Sequence, residues 1–193
     1  MKWLVVFINK LLLLAAINTD AAVEVALANT VREIALERGE AWFQVAKDAA
    51  RPFVVEAGAV RVQAVGTAFS VRRKSIGAQV MVTEGVVEVW SVDDPGGARR
   101  RVKAGEQVFI GDKAGAARPV RRPWEAERAL AWRDGLVVLD GDTVAAAAAE
   151  FNRYNSRKII ISDPALEGRR VVGWFRTNEP DSFARAVAVA HGA

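Results

Sequence analysis

The chain has 193 residues, of which 51% are apolar and 26% charged, the balance of a folded globular protein rather than a disordered one. Lys and Arg outnumber Asp and Glu by 27 to 23, and the resulting charge of +4 is too small to define a polyanion binder by itself. Cysteine is absent, which excludes disulfides, thiolate metal sites and thiol nucleophiles without fixing the redox compartment.

Residues 3–17 are apolar but broken by Asn9 and Lys10. That is short of the ~20 apolar residues a membrane helix needs. The stretch reads as a signal-like leader with Lys2 as its basic start, as the remnant of a shortened gene, or as an ordinary first strand. From about residue 23 to residue 110 the pattern is short strands and turns. Val60, Val62 and Ala64 alternate with Arg61 and Gln63, and Val87 and Val89 flank Glu88. Such a period of two turns one face to a core and one to water. A weak internal repeat runs through the region. Gly39, Gly66, Gly85 and Gly105 each precede a strand bearing bulky apolar residues, and Gly58 adds a further break. This predicts stacked strand-turn units, either β-solenoid-like or sandwich-like. No helix is expected between residues 60 and 89.

Residues 112–122, rich in Gly, Ala, Pro and Arg, read as a connection, followed by a helical pattern over 125–131 between Trp124 and Trp132. The character then changes. Residues 136–139 read as a strand, and 143–154 as a helix capped by Asp142 or Thr143. Residues 158–162, with three isoleucines, and 171–175 read as two further strands. A last helix starts at Pro180 and ends near Gly192. The expected order is β-α-β-β-α, a small α+β module that calls for one more strand than the sequence supplies. The domain reading is an apolar leader or remnant over 1–17, an all-β domain over 18–111, a linker over 112–131 and the module over 132–193.

Catalytic chemistry finds little material. The one histidine, His191, reads as a surface residue of a fraying terminal helix. A serine triad would need it, and no serine sits in a strand-turn-helix elbow. Glu84 and Glu88, imagined as a glycosidase pair, would lie on one strand face about 13 Å apart and read as solvent-facing carboxylates. No metal ligand set and no glycine-rich phosphate loop is present, so neither a metal nor a cofactor is expected. The arginines at 99–101 and 121–122 fall beside Gly and Pro. They read as solvated loops, with a polyanion site as the rival. Trp42, Trp90 and Trp174 read as strand-core residues. Trp124 and Trp132 either weld the two domains or serve as partner anchors.

Four segments in order carry a family resemblance: Gly39-Glu40-Ala41-Trp42-Phe43-Gln44-Val45, Arg51-Pro52-Phe53-Val54-Val55, Val62-Gln63-Ala64-Val65-Gly66-Thr67-Ala68-Phe69-Ser70-Val71, and Thr83-Glu84-Gly85-Val86-Val87-Glu88-Val89. Together with Ala104-Gly105-Glu106-Gln107 they resemble the FecR family. Phe151-Asn152-Arg153-Tyr154-Asn155, Asp163-Pro164 and Gly173-Trp174-Phe175 resemble that family's C-terminal module, itself similar to the short signalling domain of secretins and TonB-dependent transducers. The resemblance covers roughly residues 17–193. It implies the periplasmic sensor region of an anti-sigma regulator and no enzyme. The implied partners are the signalling domain of a TonB-dependent outer-membrane transducer, typically of iron uptake, and site-specific proteases. An extracytoplasmic-function sigma factor would bind only through a cytoplasmic segment that the sequence lacks, and nucleic acid is not expected. The alternative is an envelope carbohydrate- or polymer-binding β-protein, marked by a row of exposed aromatics on one β face. With the module's final strand missing, an open sheet edge is expected to receive the transducer or to self-pair into a homodimer. Trp132, Leu136, Val138, Phe151 and Tyr154 are the candidate partner-binding residues, with a plain core role as the competing reading.

Overall fold

The computed structural model describes residues 4–8, 13–27, 32–94, 96, 98–113, 119–121 and 128–192. The chain divides into two compact units, Lys2–Ala126 and Glu127–Ala193.

The first unit is all-β among its described residues. One sheet has the order β1 (Leu4–Ile8), β2 (Leu13–Ile17), β5 (Glu40–Val45), β8 (Ala68–Lys74), β9 (Gly77–Glu84), β12 (Glu106–Gly111) and β13 (Val120–Arg121). The other has the order β11 (Arg100–Lys103), β10 (Val86–Ser91), β7 (Val60–Ala64), β6 (Phe53–Ala57), β4 (Arg32–Arg38) and β3 (Ala22–Leu27). Neighbours run antiparallel except β4 and β6, which are parallel. The apolar stretch read as a leader, remnant or first strand is paired as β1 and β2, with β2 against β5.

The internal repeat has a geometric meaning. Gly39 joins β4 to β5, Gly66 precedes β8, Gly85 joins β9 to β10, and Gly105 precedes β12. At each of the four the chain crosses from one sheet to the other. Their φ values, +71 to +81, lie in the left-handed region that a strand corner of this kind uses. Gly39 is the tightest: a Cβ there would sit 2.4 Å from the Ala21 Cα. Hairpins therefore alternate between two facing sheets. The result is a sandwich around one core, wound in the repeating manner that suggested a solenoid.

Alternation supplies that core. Val55, Val62, Val71, Val80, Val89 and Ile110 are fully buried between the sheets. At its centre Phe43 and Phe69 are direct cross-strand partners, 5.5 Å apart, and Phe53 of the opposite sheet lies 5.5 Å from Phe43 and 6.3 Å from Phe69. Each such ring contributes about 1.5–3 kcal/mol by burial. The longer crossing from β5 to β6 is held from inside by Arg32. It donates from Nε to the Arg51 carbonyl at 2.9 Å and from a terminal nitrogen to the Ala46 carbonyl at 3.4 Å. Burial lowers the pKa of this guanidinium, with the Asp48 charge opposing the shift. The connection read from residue 112 onward starts anchored, because Arg73 grips the Asp112 carboxylate with two bonds of 2.9 Å. It also contains β13, which pairs with β12.

The second unit has a 3₁₀ turn (Ala131–Asp134), then β14 (Leu136–Thr143), α1 (Val144–Tyr154), α2 (Pro164–Glu167), β15 (Arg170–Arg176) and α3 (Pro180–His191). Thr143 is the cap of α1, its hydroxyl accepting the Ala146 N–H at 3.1 Å. Strand β14 runs longer than expected because a bulge at Gly141 lets it continue to Thr143 against β15.

One element differs from expectation. Residues 158–162 form no strand, and the order is β-α-α-β-α. The Asn152 side chain takes the place of a neighbouring strand. Its Nδ2 donates to the Ile159 carbonyl at 2.9 Å, and its Oδ1 accepts the Ile159 N–H at 2.7 Å. Lys158 is drawn back onto the end of α1, where Nζ donates to the carbonyls of Asn152 and Asn155 at 2.5 and 2.8 Å. The class read from sequence, a mainly β domain followed by a small α+β module, stands.

Candidate partner-binding face

The β14–β15 ribbon has one covered face and one open face. Val137 and Leu139 of β14 and Val171 of β15 are buried on the covered side. There Phe151 of α1 stacks on Phe183 of α3 at 4.8 Å, and Phe175 meets both edge-on at 6.0 and 5.6 Å. Gly173 shares this face, and a Cβ on it would meet the Phe175 ring at 2.8 Å. The glycine therefore leaves room for the phenyl group. Since alternate residues face opposite ways, Val172 and Trp174 turn outward, 73% and 72% exposed.

Trp174 pairs directly with Val138, Arg176 with Leu136, and Val172 with Asp140. The open face is thus an apolar patch of Leu136, Val138, Val172 and Trp174, rimmed by Asp140 and Arg176. Large exposed apolar groups clustered inside a polar rim mark interaction surfaces.

The structure separates the sequence-read candidates. Leu136 and Val138 lie on this face, half-buried. Trp132, Phe151 and Tyr154 are interior, with Phe151 fully buried. Their place on the apolar stripes of the 3₁₀ turn and α1 is the reason. The Tyr154 hydroxyl donates to Glu150 at 3.2 Å. Trp174, read as core, lies exposed on this face instead. Its signal was the inward parity of Val171 and Phe175, which forces residues 172 and 174 out.

The arginines at 99–101 also differ from their reading as loop residues. Arg100 and Arg101 belong to β11, an edge strand in register with β10. Glu88 takes Arg101 at 3.3 Å and Arg99 at 3.6 Å, and the Arg99 guanidinium lies 4.0 Å over the Trp90 ring. The cluster is largely spent on its own sheet. Trp90 is half-buried rather than core, and it shares no face with Phe109, which sits on the other sheet. Glu84 and Glu88 lie in different sheets, since the chain crosses at Gly85 between them. His191 ends α3 half-buried, its Nε2 inaccessible and without a partner among the described residues. Among those residues no group of three or more His, Cys, Asp or Glu could hold a metal ion, and no helix is long and apolar enough to cross a membrane.

Residues 13–88 match the sequence model of the family described as FecR protein. The match runs from β2 into β10 and takes in the crossings at Gly39, Gly66 and Gly85. That match lies within the first unit and covers less than half of the chain. Two crystal structures of a candidate anti-sigma factor from Parabacteroides distasonis ATCC 8503 share the fold at 20% identity. One superposes with a TM-score of 0.76 over 93% of this chain and 84% of that one, the other with 0.74 over 93% and 83%. No curated protein sequence matches the chain. The first unit is followed by a small module whose open β face the family match does not reach.

Proposed function

We propose that the chain is the signal-receiving region of an anti-sigma regulator in cell-surface signalling. It works in the periplasm and responds to a protein partner without catalysing a reaction. The partner is the signalling domain of a TonB-dependent outer-membrane transducer, with an iron complex as the usual cue upstream. Proteases and an extracytoplasmic-function sigma factor lie downstream, the latter reached through a cytoplasmic segment outside the sequence. The observation that carries the reading is the FecR-family match over residues 13–88. The apolar face around Trp174 supports a receiving surface in the second unit, because exposed Trp is the side chain most enriched at binding hot spots.

The test is a calorimetric titration of the full chain with the purified signalling domain of the transducer encoded beside its gene. Trp174→Ala should weaken binding by roughly 30-fold, about 2 kcal/mol, while shifting stability by less than about 0.5 kcal/mol, since the ring is exposed. Absence of binding by the unaltered chain would count against the transducer as partner. Undiminished binding by Trp174→Ala would count against this face.

A further inference from the structure

We infer that residues Ile160–Ser162 are a waiting edge strand that a partner completes by adding an extended segment of its own. The inference rests on the reading of the chain as a protein-signal receiver, and it names how the partner is held.

Five observations carry it. Three successive β-branched residues, Ile159, Ile160 and Ile161, have the composition of a strand, yet they pair with none. No turn or bend interrupts the chain from Lys158 to Asp163. Ile159 is clasped through both its N–H and its carbonyl by Asn152, the exchange a strand neighbour would make. Beyond the clasp, the main-chain groups of Ile160, Ile161 and Ser162 make no hydrogen bond among the described residues. Ile160 is also 83% exposed.

These features fit one kind of occupant. Free N–H and C=O groups in an uninterrupted run are met best by another extended main chain, and β-branched side chains favour it. In an extended run, alternate residues aim their main-chain groups to opposite sides. With Ile159 committed to Asn152, the groups of Ile160 and Ser162 face the side left open. The clasp and the Lys158 tether order the run before binding, which lowers the entropic cost of docking. Local preference for a strand in a place where none forms is the kind of inconsistency that marks a functional segment.

The test uses the full chain and the same transducer signalling domain. In the free chain, the amides of residues 160–162 should exchange with deuterium at close to unprotected rates. With the signalling domain added, the Ile160 and Ser162 amides should slow at least tenfold. Ile160→Pro removes a donor that has no partner in the free chain and suits an extended backbone. It should leave the melting temperature unchanged and weaken binding at least tenfold. Ile160→Thr keeps the donor and the β-branch and should cost less than threefold. Equal binding by Ile160→Pro and the unaltered chain would overturn the inference while leaving the transducer reading intact. So would slow exchange at 160–162 in the free chain. Protection that appears only as the chain's own concentration rises would assign the strand to self-pairing and overturn the heterologous partner. Failure of the unaltered chain to bind counts instead against the proposed function.

Discussion

Each unit is built around three phenylalanines, and the two units treat their unpaired strand edges in opposite ways. In the first unit the rings come from both sheets, and Phe43, Phe53 and Phe69 are all fully buried. In the second unit they come from two helices and one strand. The outer strand β11 of the first unit carries Arg100, Arg101 and Lys103 exposed around the single buried Val102. Charged side chains on an edge deter the docking of another strand. The second unit exposes Trp174 and Val172 on its ribbon, and Ile160 on a run that pairs with no strand. The same core device thus underlies a charged outer edge in one place and exposed apolar side chains in the other.

The comparison is tested first where it claims likeness. Phe69→Ala should cost about 3–5 kcal/mol, because a fully buried ring leaves a cavity among rigid strands. Phe151→Ala should cost a similar amount, read from chemical-denaturation midpoints resolved by probes in each unit. A loss below about 1 kcal/mol at either site would show that the two triads are not equivalent. Next comes the crossing at Gly39. Gly39→Ala combines a left-handed backbone with a Cβ driven against Ala21, and about 2–4 kcal/mol is expected from the same denaturation experiment. A neutral result would mean that the crossing relaxes freely and that the repeat glycines do not define the winding.

Much of the winding could be read before the structure. Glycines punctuating a period-two pattern marked the bends where the chain changes sheet, whereas the facing of Phe43 and Phe69 was not legible, because the repeat puts Trp42 rather than Phe43 level with Phe69. The capped helix α1 was equally legible, since Thr143 and the spacing of Val144, Ala147, Ala148 and Phe151 are local signals. Which sheet a strand joins was not legible, because alternation reports a face and says nothing of a neighbour; the parallel pairing of β4 and β6 is such a case. The isoleucine run misled for a related reason. Its local preference is for a strand, but a strand needs a partner, and a side chain seven residues earlier supplies the bonds instead. At the candidate face the leucine-bearing strand was found and the tryptophan opposite it was not.

The guarded edge gives the third test, and it bears on the contrast. Arg101→Thr combined with Lys103→Thr removes two charges from β11 and leaves β-prone side chains in their place. Stability should change by less than about 1 kcal/mol, since the Arg101–Glu88 pair is solvent-exposed. Self-association at high concentration should rise, as seen by sedimentation velocity. A strictly monomeric variant would show that charge is not what protects this edge, and the contrast with the isoleucine run would lose its basis.

The smallest effect probes the outer face of the same sheet, where Glu33 lies within hydrogen-bonding reach of Glu56. Partial burial, followed by the hydrogen bond to Glu56 and then its charge, raises the Glu33 carboxyl above its usual 4.5, with Arg61 opposing. Arg61 is itself bound to Glu56 at 2.7 Å and offsets only part of the repulsion. The folded chain therefore holds this proton more tightly than the unfolded chain does. Stability falls as pH climbs from the unfolded value through the raised folded one, and the cost is complete above it. Below the ordinary carboxylate value both states are protonated and the cost disappears. Glu33→Gln should then stabilise the protein at pH 7 by less than about 1 kcal/mol, the site being partly solvated. The gain should fade as pH is lowered to about 4, where both states approach protonation. Thermal melts of the two proteins across that range would show the curves converging at the acid end. A gain that persists unchanged at low pH would mean that the amide improves packing, and that this face of the scaffold carries no electrostatic strain.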